Sequence, residues 1–493
     1  MPIDSEKNEN EGHLNLELTD CSKLSIELEN SHKEYLIHRH GTIELDPLPS
    51  QDPEDPLNWP NKKKYLLLGL VAFHAMSNTF MGAGIVPAFE SMSEQYGVTM
   101  EAIAYLTSVQ IVVSGIFPLL WLPLMNKYGR RPFLLASVLG AMAFNIGGGF
   151  CSTYGQQMAL RALTAFFISP SAAVGSVIVT ELCFSRERGQ KTGWWAMMMT
   201  IGTPAGPFIM GFVQQHAGTK WIYWTFAIMN ICQFLGYLFF GPETLYSRDG
   251  FIVKRVNWWR LTRLDSQPLS WKAFLAPLKL AAVQQVIIPI CAYAIVFCYA
   301  NIALIVELPQ VFGRKFHLDS QQTGLQFIAL IIGSAIGEQL AGPLSDWWMK
   351  LRIRNRGRKI IEDRLWLSYP GFLMVIVGLI VWGVRTQQAA EGHWNITPLI
   401  GSGIAAAGNQ IITTTLITFA IDVNSKVSSE VGLLVNVVRQ VFGFLGPFYF
   451  PVMFNNLGFG GAGGLMAGLV GVFACIPIIL LHFSGLRRQG VRA

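Results

Sequence analysis

Charged side chains are scarce in this sequence. Asp, Glu, Lys and Arg together make up 14% of its 493 residues, whereas 51% of the residues are hydrophobic. Soluble globular proteins carry about 25% charged residues. The shortage of charge excludes an ordinary soluble domain, and we expect most of the chain to lie in a lipid bilayer.

Signatures of catalysis and of metal binding are missing as well. The sequence contains no G-x-S-x-G elbow, no Walker loop and no H-E-x-x-H motif. Its seven cysteines are scattered without paired spacing, which is typical of small buried residues rather than of a disulfide framework or a metal site. We therefore expect neither an enzyme nor a bound cofactor. The start of the chain is acidic and polar, so no cleavable signal peptide is expected.

The first 60 residues differ from the rest of the chain in charge. They hold 14 Asp and Glu against 4 Lys and Arg, so the other 433 residues carry 33 basic and 17 acidic groups. Low hydrophobicity and net negative charge predict a disordered cytoplasmic tail for residues 1–60. The tail ends in DPEDPLNWP at residues 52–60, where three prolines stop any helix.

Twelve apolar runs follow, each long enough for a helix that crosses a bilayer, which takes about 20 residues. Their approximate bounds are 65–88, 102–125, 132–152, 156–181, 191–213, 220–241, 283–307, 322–345, 365–385, 396–421, 430–454 and 462–484. Segments on the N-terminal side hold 27 Lys and Arg, whereas the opposite loops hold 4. Because basic loops stay in the cytoplasm, both termini are predicted to be cytoplasmic. The basic excess suits an anionic lipid surface and needs no nucleic acid as partner.

Two basic turns lie about half a chain apart, at residues 122–134 and 342–359. Both resemble the signature loop of the major facilitator superfamily, written G-x-L-x-D-R-x-G-R-R. In the first copy Leu122 and Asn126 replace the glycine and the acid of that loop. The residues that carry the resemblance, and an expected conformational role, are Gly129, Arg130, Arg131, Gly342 and Asp346.

The resemblance implies an all-α membrane protein with two pseudo-symmetric bundles of six helices. The bundles are expected at residues 61–241 and 283–486, with a cytoplasmic linker at 242–282 and a cytoplasmic C-terminus at 487–493. An interfacial amphipathic helix is expected in the linker around residues 258–271, and a free flexible linker is the alternative.

The fifth apolar run carries a row of glycines and prolines. Its spacing resembles the antiporter motif of the superfamily, G-x8-G-x3-G-P-x2-G-G, with Met210 in place of one glycine. Glycines three or four residues apart let helices approach closely whatever the function is. Together with the wording of residues 52–60, the motif makes the chain similar to the fungal drug:proton antiporters with twelve helices. The matching residues are Gly193, Gly202, Gly206, Pro207 and Gly211.

Three ionisable residues inside apolar runs are candidates for proton coupling. Arg161 resembles the superfamily's R-x-x-x-G motif, with Ala165 in place of its glycine, and the alternative is an arginine that extends to the membrane surface. Glu338 has no Lys or Arg on its own helix turn, and the alternative is an ion pair with Arg439 or with the basic loop that follows. His74 is the third candidate, although a single histidine is more often a hydrogen-bonded core residue.

Charged residues in the loops are candidates for ion pairs that stabilise one conformation. Glu181, after the fourth run, is expected to pair with Arg130 or Arg131. In the second half, Asp422 and Glu430 are expected to face the basic loop between runs eight and nine. Such pairs are structural and carry no chemistry.

Polar residues within the apolar runs are candidates for a substrate cavity near the middle of the membrane. The aromatic residues of the eleventh run would suit a planar or cationic compound, although aromatic belts and lipid-facing phenylalanines explain most of them. The candidates are Asn78, Tyr293, Tyr299, Asn301, Asn409, Gln410, Asn436 and Arg439.

The resemblance also implies a function. The expected activity is proton-coupled export of a small organic compound, such as a drug, a toxin or a secondary metabolite, by a monomer in the plasma membrane. The vacuolar membrane is the alternative location. Proton-coupled uptake of a nutrient or a polyamine is the alternative within transport, and a non-transporting nutrient sensor with the same fold is the alternative of another class.

Overall fold

The computed structural model describes residues 30–43, 45–246, 271–356, 360–424 and 427–488. All regular secondary structure in these ranges is helical. This agrees with the long apolar runs, because a backbone in lipid must satisfy its own N–H and C=O groups, which a helix does within one segment.

Ten helices precede residue 247 in the described ranges. They are α1 (Asn30–His40), α2 (Asn61–Ala83), α3 (Phe89–Tyr96), α4 (Met100–Ile116), α5 (Pro118–Tyr128), α6 (Arg131–Gly148), α7 (Tyr154–Ile168), α8 (Ser171–Leu182), α9 (Ser185–Ala217) and α10 (Thr219–Phe240). Breaks follow α2, α4 and α7 close to Pro87, Pro118 and Pro170. Proline has no N–H to donate to the preceding turn, so these residues interrupt longer apolar runs.

The helices after residue 270 are α11 (Trp271–Lys279), α12 (Gln284–Phe297), α13 (Leu304–Leu308), α14 (Arg314–Phe316), α15 (Ser320–Leu325), α16 (Ile328–Arg356), α17 (Ser368–Gln388), α18 (Thr397–Val423), α19 (Ser428–Leu469) and α20 (Ile476–Arg488). Wide π-helical turns join α12 to α13 at Cys298–Ala303 and α19 to α20 at Val470–Cys475. Helix α19 bends sharply at Gly458, whose φ of 66° favours glycine.

In the described part of the chain, nine helical stretches are long and apolar enough to cross a membrane, and ten if the bent pair α4 and α5 is one span. One of the nine extends over Ser428–Arg487, where the sequence predicts two spans, 430–454 and 462–484. Its bend at Gly458 lies between these two predicted spans. Helix α6 lies where the third span is predicted but is not among the nine. The all-α membrane class is confirmed, while the number of twelve spans stays a prediction.

The residues just before the first membrane helix form a compact turn, which we call the pre-membrane segment (residues 45–60). Asn58 is buried, and its Nδ2 donates to the carbonyls of Ser50 and Asp52 at 2.7 and 2.8 Å. The hydroxyl of Tyr246, just after α10, contacts Ser50 Oγ at 3.0 Å and donates to the Asp52 carboxylate at 3.2 Å. Burial raises the pKa of this phenol, so it remains a donor.

Helix α1 packs on the pre-membrane segment. Arg39 donates to the Asn58 carbonyl at 2.6 Å, and the His40 ring meets the edge of Phe184 with centroids 5.4 Å apart. Residues 30–60 therefore differ from the predicted disordered tail. The prolines that stop a helix here also stiffen a turn, and buried polar side chains satisfy its backbone. Residues 1–29 and 44 lie outside the described part.

The predicted linker, residues 242–282, is described only at its two ends. Residues 247–270 lie outside the described part, and with them nearly all of the interfacial helix predicted around 258–271. Helix α11 follows and lies against both α5 of the first half and α19 of the second half. Leu275 and Leu278 on α11 are exposed, as expected for a helix at a lipid surface.

The two halves meet along α4 and α19. Asn436 Nδ2 donates to the carbonyls of Ser114 and Gly115, each at 3.3 Å. Toward the other end of the same helix pair, the rings of Tyr105 and Phe448 stack with centroids 4.6 Å apart. The contact thus combines polar and aromatic pairs between the first and second halves.

Candidate functional site

A cavity lies between the two halves, and the space in it that no atom fills, including space open to solvent, is about 690 Å³. Its polar lining consists mostly of amides and hydroxyls from helices of both halves. The structure brings together six of the eight predicted cavity residues: Asn78, Tyr293, Asn301, Asn409, Gln410 and Arg439.

Helix α4 adds a polar stripe to the cavity that the sequence analysis missed. Thr107, Gln110 and Ser114 all line it. Gln110 Nε2 donates to the Asn78 carbonyl at 3.3 Å, and Ser114 Oγ donates to Asn78 Oδ1 at 3.0 Å. The signal was present in the sequence, because residues three and four apart share one helix face and these three interrupt an apolar run.

Arg439 is fixed at the cavity by three neighbours. Its Nη1 donates to the Tyr293 hydroxyl at 3.3 Å and its Nη2 to Asn436 Oδ1 at 3.1 Å. The guanidinium also lies 4.8 Å from the ring centroid of Phe297, in cation–π geometry. The charge is therefore held in one place beside the cavity.

Several buried amide oxygens around the cavity accept no hydrogen bond from any described residue. They belong to Gln110, Asn301, Asn409 and Gln410, all at most 3% exposed. A buried polar atom without a partner costs about 1–3 kcal/mol, so these atoms favour water or a ligand that donates to them. The cavity is thus lined by side chains that still have acceptor capacity.

Glu338 lies beside the cavity and connects to it through one amide. Its Oε2 accepts from Gln410 Nε2 at 2.5 Å and from Thr414 Oγ1 at 3.0 Å. Among the described residues Glu338 forms no ion pair with Arg439, whose partners are Tyr293 and Asn436. Residues 357–359 of the basic loop after α16 lie outside the described part, so an ion pair of Glu338 with that loop stays an open alternative.

Two predicted cavity residues lie elsewhere. Tyr299 packs on Phe450, with ring centroids 6.3 Å apart, and Asn436 joins α19 to α4 as described above. Both are near the cavity without being among the residues that line it. Six residues make about one and two-thirds turns of a helix, so Tyr299 lies on a different face from Tyr293.

His74 is buried inside the first half and does not line the cavity. Its Nδ1 contacts the Tyr237 hydroxyl at 3.1 Å, and its Nε2 contacts Ser137 Oγ at 3.4 Å. Both ring nitrogens therefore have partners on other helices. This arrangement favours the interpretation of His74 as a core residue over that of a proton carrier.

Arg161 is 1% exposed and donates to the carbonyls of Met81 and Gly82, at 2.9 and 3.1 Å. These carbonyls belong to the last turn of α2, where a helix leaves its C=O groups without intrahelical partners. The cation also opposes the negative end of the helix dipole. The alternative that Arg161 extends to the membrane surface is wrong, because its guanidinium caps a broken helix in the interior.

The glycines of the fifth apolar run bring α9 against α2. A Cβ on Gly202 would lie 2.6 Å from the Met76 carbonyl oxygen, and one on Gly206 would lie 2.4 Å from that of Phe80. A hydrogen bond also joins the two helices, because Thr79 Oγ1 on α2 donates to the Met199 carbonyl on α9 at 2.8 Å. Only glycine permits this approach, which lies within the first half.

The same helix approaches the second half near its C-terminal end. A Cβ on Gly211 would lie 2.7 Å from the Ser320 carbonyl and 3.0 Å from Gly324 Cα, and one on Gly324 would lie 3.0 Å from the Pro207 carbonyl. Near the other end of α9, the nearest atom to a Cβ on Gly193 would be Glu338 Oε1 at 4.0 Å. The row of glycines thus packs α9 against two different partners.

The first basic turn contains the predicted ion pair. Arg130 and Glu181 are joined at 2.5 Å, and Gly129 ends α5 with a φ of 93°. The sequence analysis missed Glu243, whose carboxylate accepts from the backbone N–H groups of Arg130 and Arg131 at 2.9 and 3.0 Å. An acid at the start of α6 stabilises it through the helix dipole.

The second half has a corresponding pair. Arg364, in the basic loop before α17, lies 3.2 Å from the Asp422 carboxylate and donates to Ser345 Oγ at 3.3 Å. Each ion pair therefore connects segments of one half rather than the two halves. The side chain of Asp346 lies outside the described part, and a Cβ on Gly342 would meet nothing within 4 Å.

Two sets of apolar helices that enclose a polar cavity have the architecture of a secondary transporter. The family description "Major Facilitator Superfamily" matches residues 70–447. The chain belongs to this superfamily. Its members are transporters rather than enzymes, and the fold of this chain is a transporter fold.

Named relatives are fungal. The efflux pump vrtL of Penicillium aethiopicum is 26% identical over 446 residues, which cover 88% of this chain and 88% of that protein. The MFS transporter cpaT of Aspergillus oryzae is 25% identical over 454 residues, which cover 90% and 91%. Among solved structures, the partially occluded inward-open xylose transporter XylE from E. coli matches with a TM-score of 0.60 and 13% identity, over 84% of this chain and 97% of that chain. At that identity the likeness to XylE concerns the fold alone.

Proposed function

We propose that this protein is a proton-coupled carrier that exports a small organic compound across the plasma membrane, as a monomer with both termini in the cytoplasm. The observation that carries the proposal is the hydrogen bond between Glu338 and Gln410, because it joins a titratable carboxylate to an amide of the cavity. The names of fungal relatives, among them the efflux pump vrtL, support export as the direction of transport.

Alternating access follows from the two kinds of glycine contact on α9. Gly202 and Gly206 keep α9 on α2, within the first half. Gly211 and Gly324 form a contact between halves, which separates when the two halves rock about the cavity. The ion pairs at Arg130 and Arg364 would keep each half rigid during this motion.

Proton coupling follows from the chemistry of the Glu338 carboxyl group. In the ionised form it only accepts hydrogen bonds, and Gln410 Nε2 faces it. Protonation adds one O–H donor to the carboxyl group, and this donor gains a partner if the Gln410 amide turns its Oε1 toward Glu338 and its Nε2 toward the cavity. Protonation thereby changes what the cavity offers to a ligand at this point. Binding of the proton then changes the affinity for the ligand, and binding of the ligand changes the affinity for the proton by the same factor.

The first experiment is a transport assay in a yeast strain that lacks its own exporters. A panel of radiolabelled or fluorescent organic compounds is followed for accumulation, with and without a protonophore. We expect lower accumulation of at least one compound, and we expect the protonophore to abolish the difference. Higher accumulation with the same sensitivity would replace export by uptake, and no protonophore effect would contradict proton coupling.

The Glu338→Gln variant tests the coupling residue with the compound so identified. Glutamine keeps an acceptor for Thr414 but cannot titrate. We expect proton-driven export to be lost while exchange of labelled for unlabelled compound across the membrane continues. Glu391→Gln, at an exposed position, is the matched control and is expected to leave both processes unchanged. Export that keeps its pH dependence in Glu338→Gln would remove this role from Glu338.

A further inference from the structure

The charge that lines the cavity has one sign. Among the described residues that line it, Arg439 is the only charged one, and none is an Asp or a Glu. Glu338 stands behind Gln410 and already accepts two hydrogen bonds. A ligand in the cavity therefore meets one fixed positive charge.

We propose that the substrate is an organic anion, such as a carboxylate, that also carries hydroxyl or amide N–H donors. This inference rests on the proposed function in one respect, namely that the cavity is the substrate site. It names the substrate class, for which the sequence offered only aromatic residues that would suit a planar or cationic compound.

The geometry of Arg439 suits an anion. An arginine has five N–H donors arranged as a planar fork that matches a carboxylate. Tyr293 and Asn436 take one donor each, and the buried Nε donates to no acceptor among the described residues. The guanidinium is thus pre-positioned and still has donors to offer.

The amide oxygens explain why the anion should also be a donor. Gln110, Asn301, Asn409 and Gln410 each present a buried oxygen that accepts nothing from the described residues. A ligand with hydroxyl or amide N–H groups satisfies them, whereas a purely apolar ligand leaves them without partners. A site with unpaired buried polar groups rejects the analogue that lacks the matching group.

A cationic substrate fits these observations poorly. Arg439 would repel it, and charges inside a protein interact more strongly than in bulk water. One aromatic ring of the cavity that would attract a cation, that of Phe297, is already in contact with the Arg439 guanidinium, 4.8 Å from the ring centroid. The second, Tyr293, accepts a hydrogen bond from the same guanidinium through its hydroxyl group.

The test measures binding by the purified full-length protein in lipid nanodiscs. Hydroxylated aromatic carboxylates are compared with two analogues of the same skeleton, the primary amide and the trimethylammonium compound, and the unfolding temperature is recorded at rising ligand concentration. We expect carboxylates to raise the unfolding temperature and their trimethylammonium analogues to bind at least about tenfold more weakly. Equal or tighter binding of the cations, or no binding of any carboxylate, overturns the proposal.

Two variants assign the effect to the cavity. Arg439→Gln is expected to weaken carboxylate binding about ten- to hundredfold, as expected for the loss of charge-assisted hydrogen bonds. Asn301→Asp adds a negative charge without changing size, and it is expected to weaken carboxylates and strengthen trimethylammonium compounds. Asn301→Asp keeps the test decisive if Arg439→Gln does not fold. Arg385→Gln, at an exposed position, is the matched control.

Unchanged carboxylate affinity in folded Arg439→Gln, or unchanged selectivity in Asn301→Asp, overturns the proposal. The proposed function fails separately. Carboxylates that bind through Arg439 but cross the membrane without sensitivity to a protonophore contradict proton coupling and leave the substrate class intact. Protonophore-sensitive export of cations alone supports proton coupling and contradicts the substrate class.

Discussion

At the scale of single residues, Arg161 shows how a membrane interior accommodates a charge. Helix α2 ends at Ala83, inside the protein and shortly before Pro87, and the carbonyls of Met81 and Gly82 need donors there. The arginine supplies them and brings a compensating charge to the helix end. The position of the Arg161 guanidinium, which belongs to α7, thus follows from the place where α2 ends.

We predict that Arg161→Met lowers the stability of the protein by about 1–3 kcal/mol, because two buried carbonyls lose charge-assisted hydrogen bonds. The measurement is the apparent unfolding temperature of the purified protein. Arg385→Met removes an exposed arginine and is expected to change stability by no more than about 0.5 kcal/mol. A folded Arg161→Met with unchanged stability but altered pH dependence of transport would assign the residue to coupling instead.

The sequence could predict Asn78, Asn301 and Asn409 as cavity residues, because a buried amide in an apolar helix needs polar partners. The same pattern does not exclude Asn145 and Asn230, which are buried elsewhere and donate to carbonyls of their own helices. The sequence also could not separate His74 from Asn78. The two residues are four apart and share a helix face, but they are about 6 Å apart along the axis. At the height of His74 the neighbours are Tyr237 and Ser137, whereas at the height of Asn78 they are Gln110 and Ser114.

At the scale of helices, the glycines of α9 make a prediction with an internal control. Gly206→Ala places a methyl group 2.4 Å from the Phe80 carbonyl oxygen, so α9 must move away from α2. We expect a loss of about 1–3 kcal/mol, typical of an overpacked interior. The measurement is again the apparent unfolding temperature.

Gly193→Ala, on the same helix, is the control. Its nearest neighbour would be Glu338 Oε1 at 4.0 Å, which is ordinary contact. Alanine is also the better helix former, so unchanged or slightly higher stability is expected. Equal losses in the two variants would contradict the packing explanation.

Helix existence was predictable from apolar runs, whereas helix irregularities were not. The break after α2 lies inside a single predicted span, 65–88, and the π-helical turn at Cys298–Ala303 lies inside another, 283–307. A hydrophobic period of 3.6 residues indicates that a segment is helical. It does not show where a single turn widens, because one extra residue in a turn hardly changes the composition of the segment. The pre-membrane segment was missed for a similar reason, because its order depends on Asn58 and Tyr246, which are far apart in sequence.

At the scale of the whole molecule, the contact between Gly211 and Gly324 joins the two halves on the side that is predicted to be extracellular. We predict that Gly211→Ala loosens closure there, since a Cβ would meet the Ser320 carbonyl at 2.7 Å. The measurement is the labelling rate of Thr323→Cys, a buried position at this contact, by a membrane-impermeant maleimide added outside intact cells. The rate should rise several-fold.

Gly468→Ala is the control for that experiment, because a Cβ there would meet nothing within 4 Å. Labelling is compared with the parent protein that lacks Thr323→Cys. An unchanged labelling rate in Gly211→Ala would show that this contact does not govern access from outside.

The hydrogen bonds of Tyr246 have a consequence for chain topology. They connect the residue that follows the last helix of the first half to Ser50 and Asp52, which precede its first membrane helix. The beginning and the end of this half therefore lie next to each other in space. Such a unit is suited to circular permutation, in which a short peptide joins the old ends and the chain is opened in another loop. The order in which this half is synthesised would then change while its helix packing stays the same.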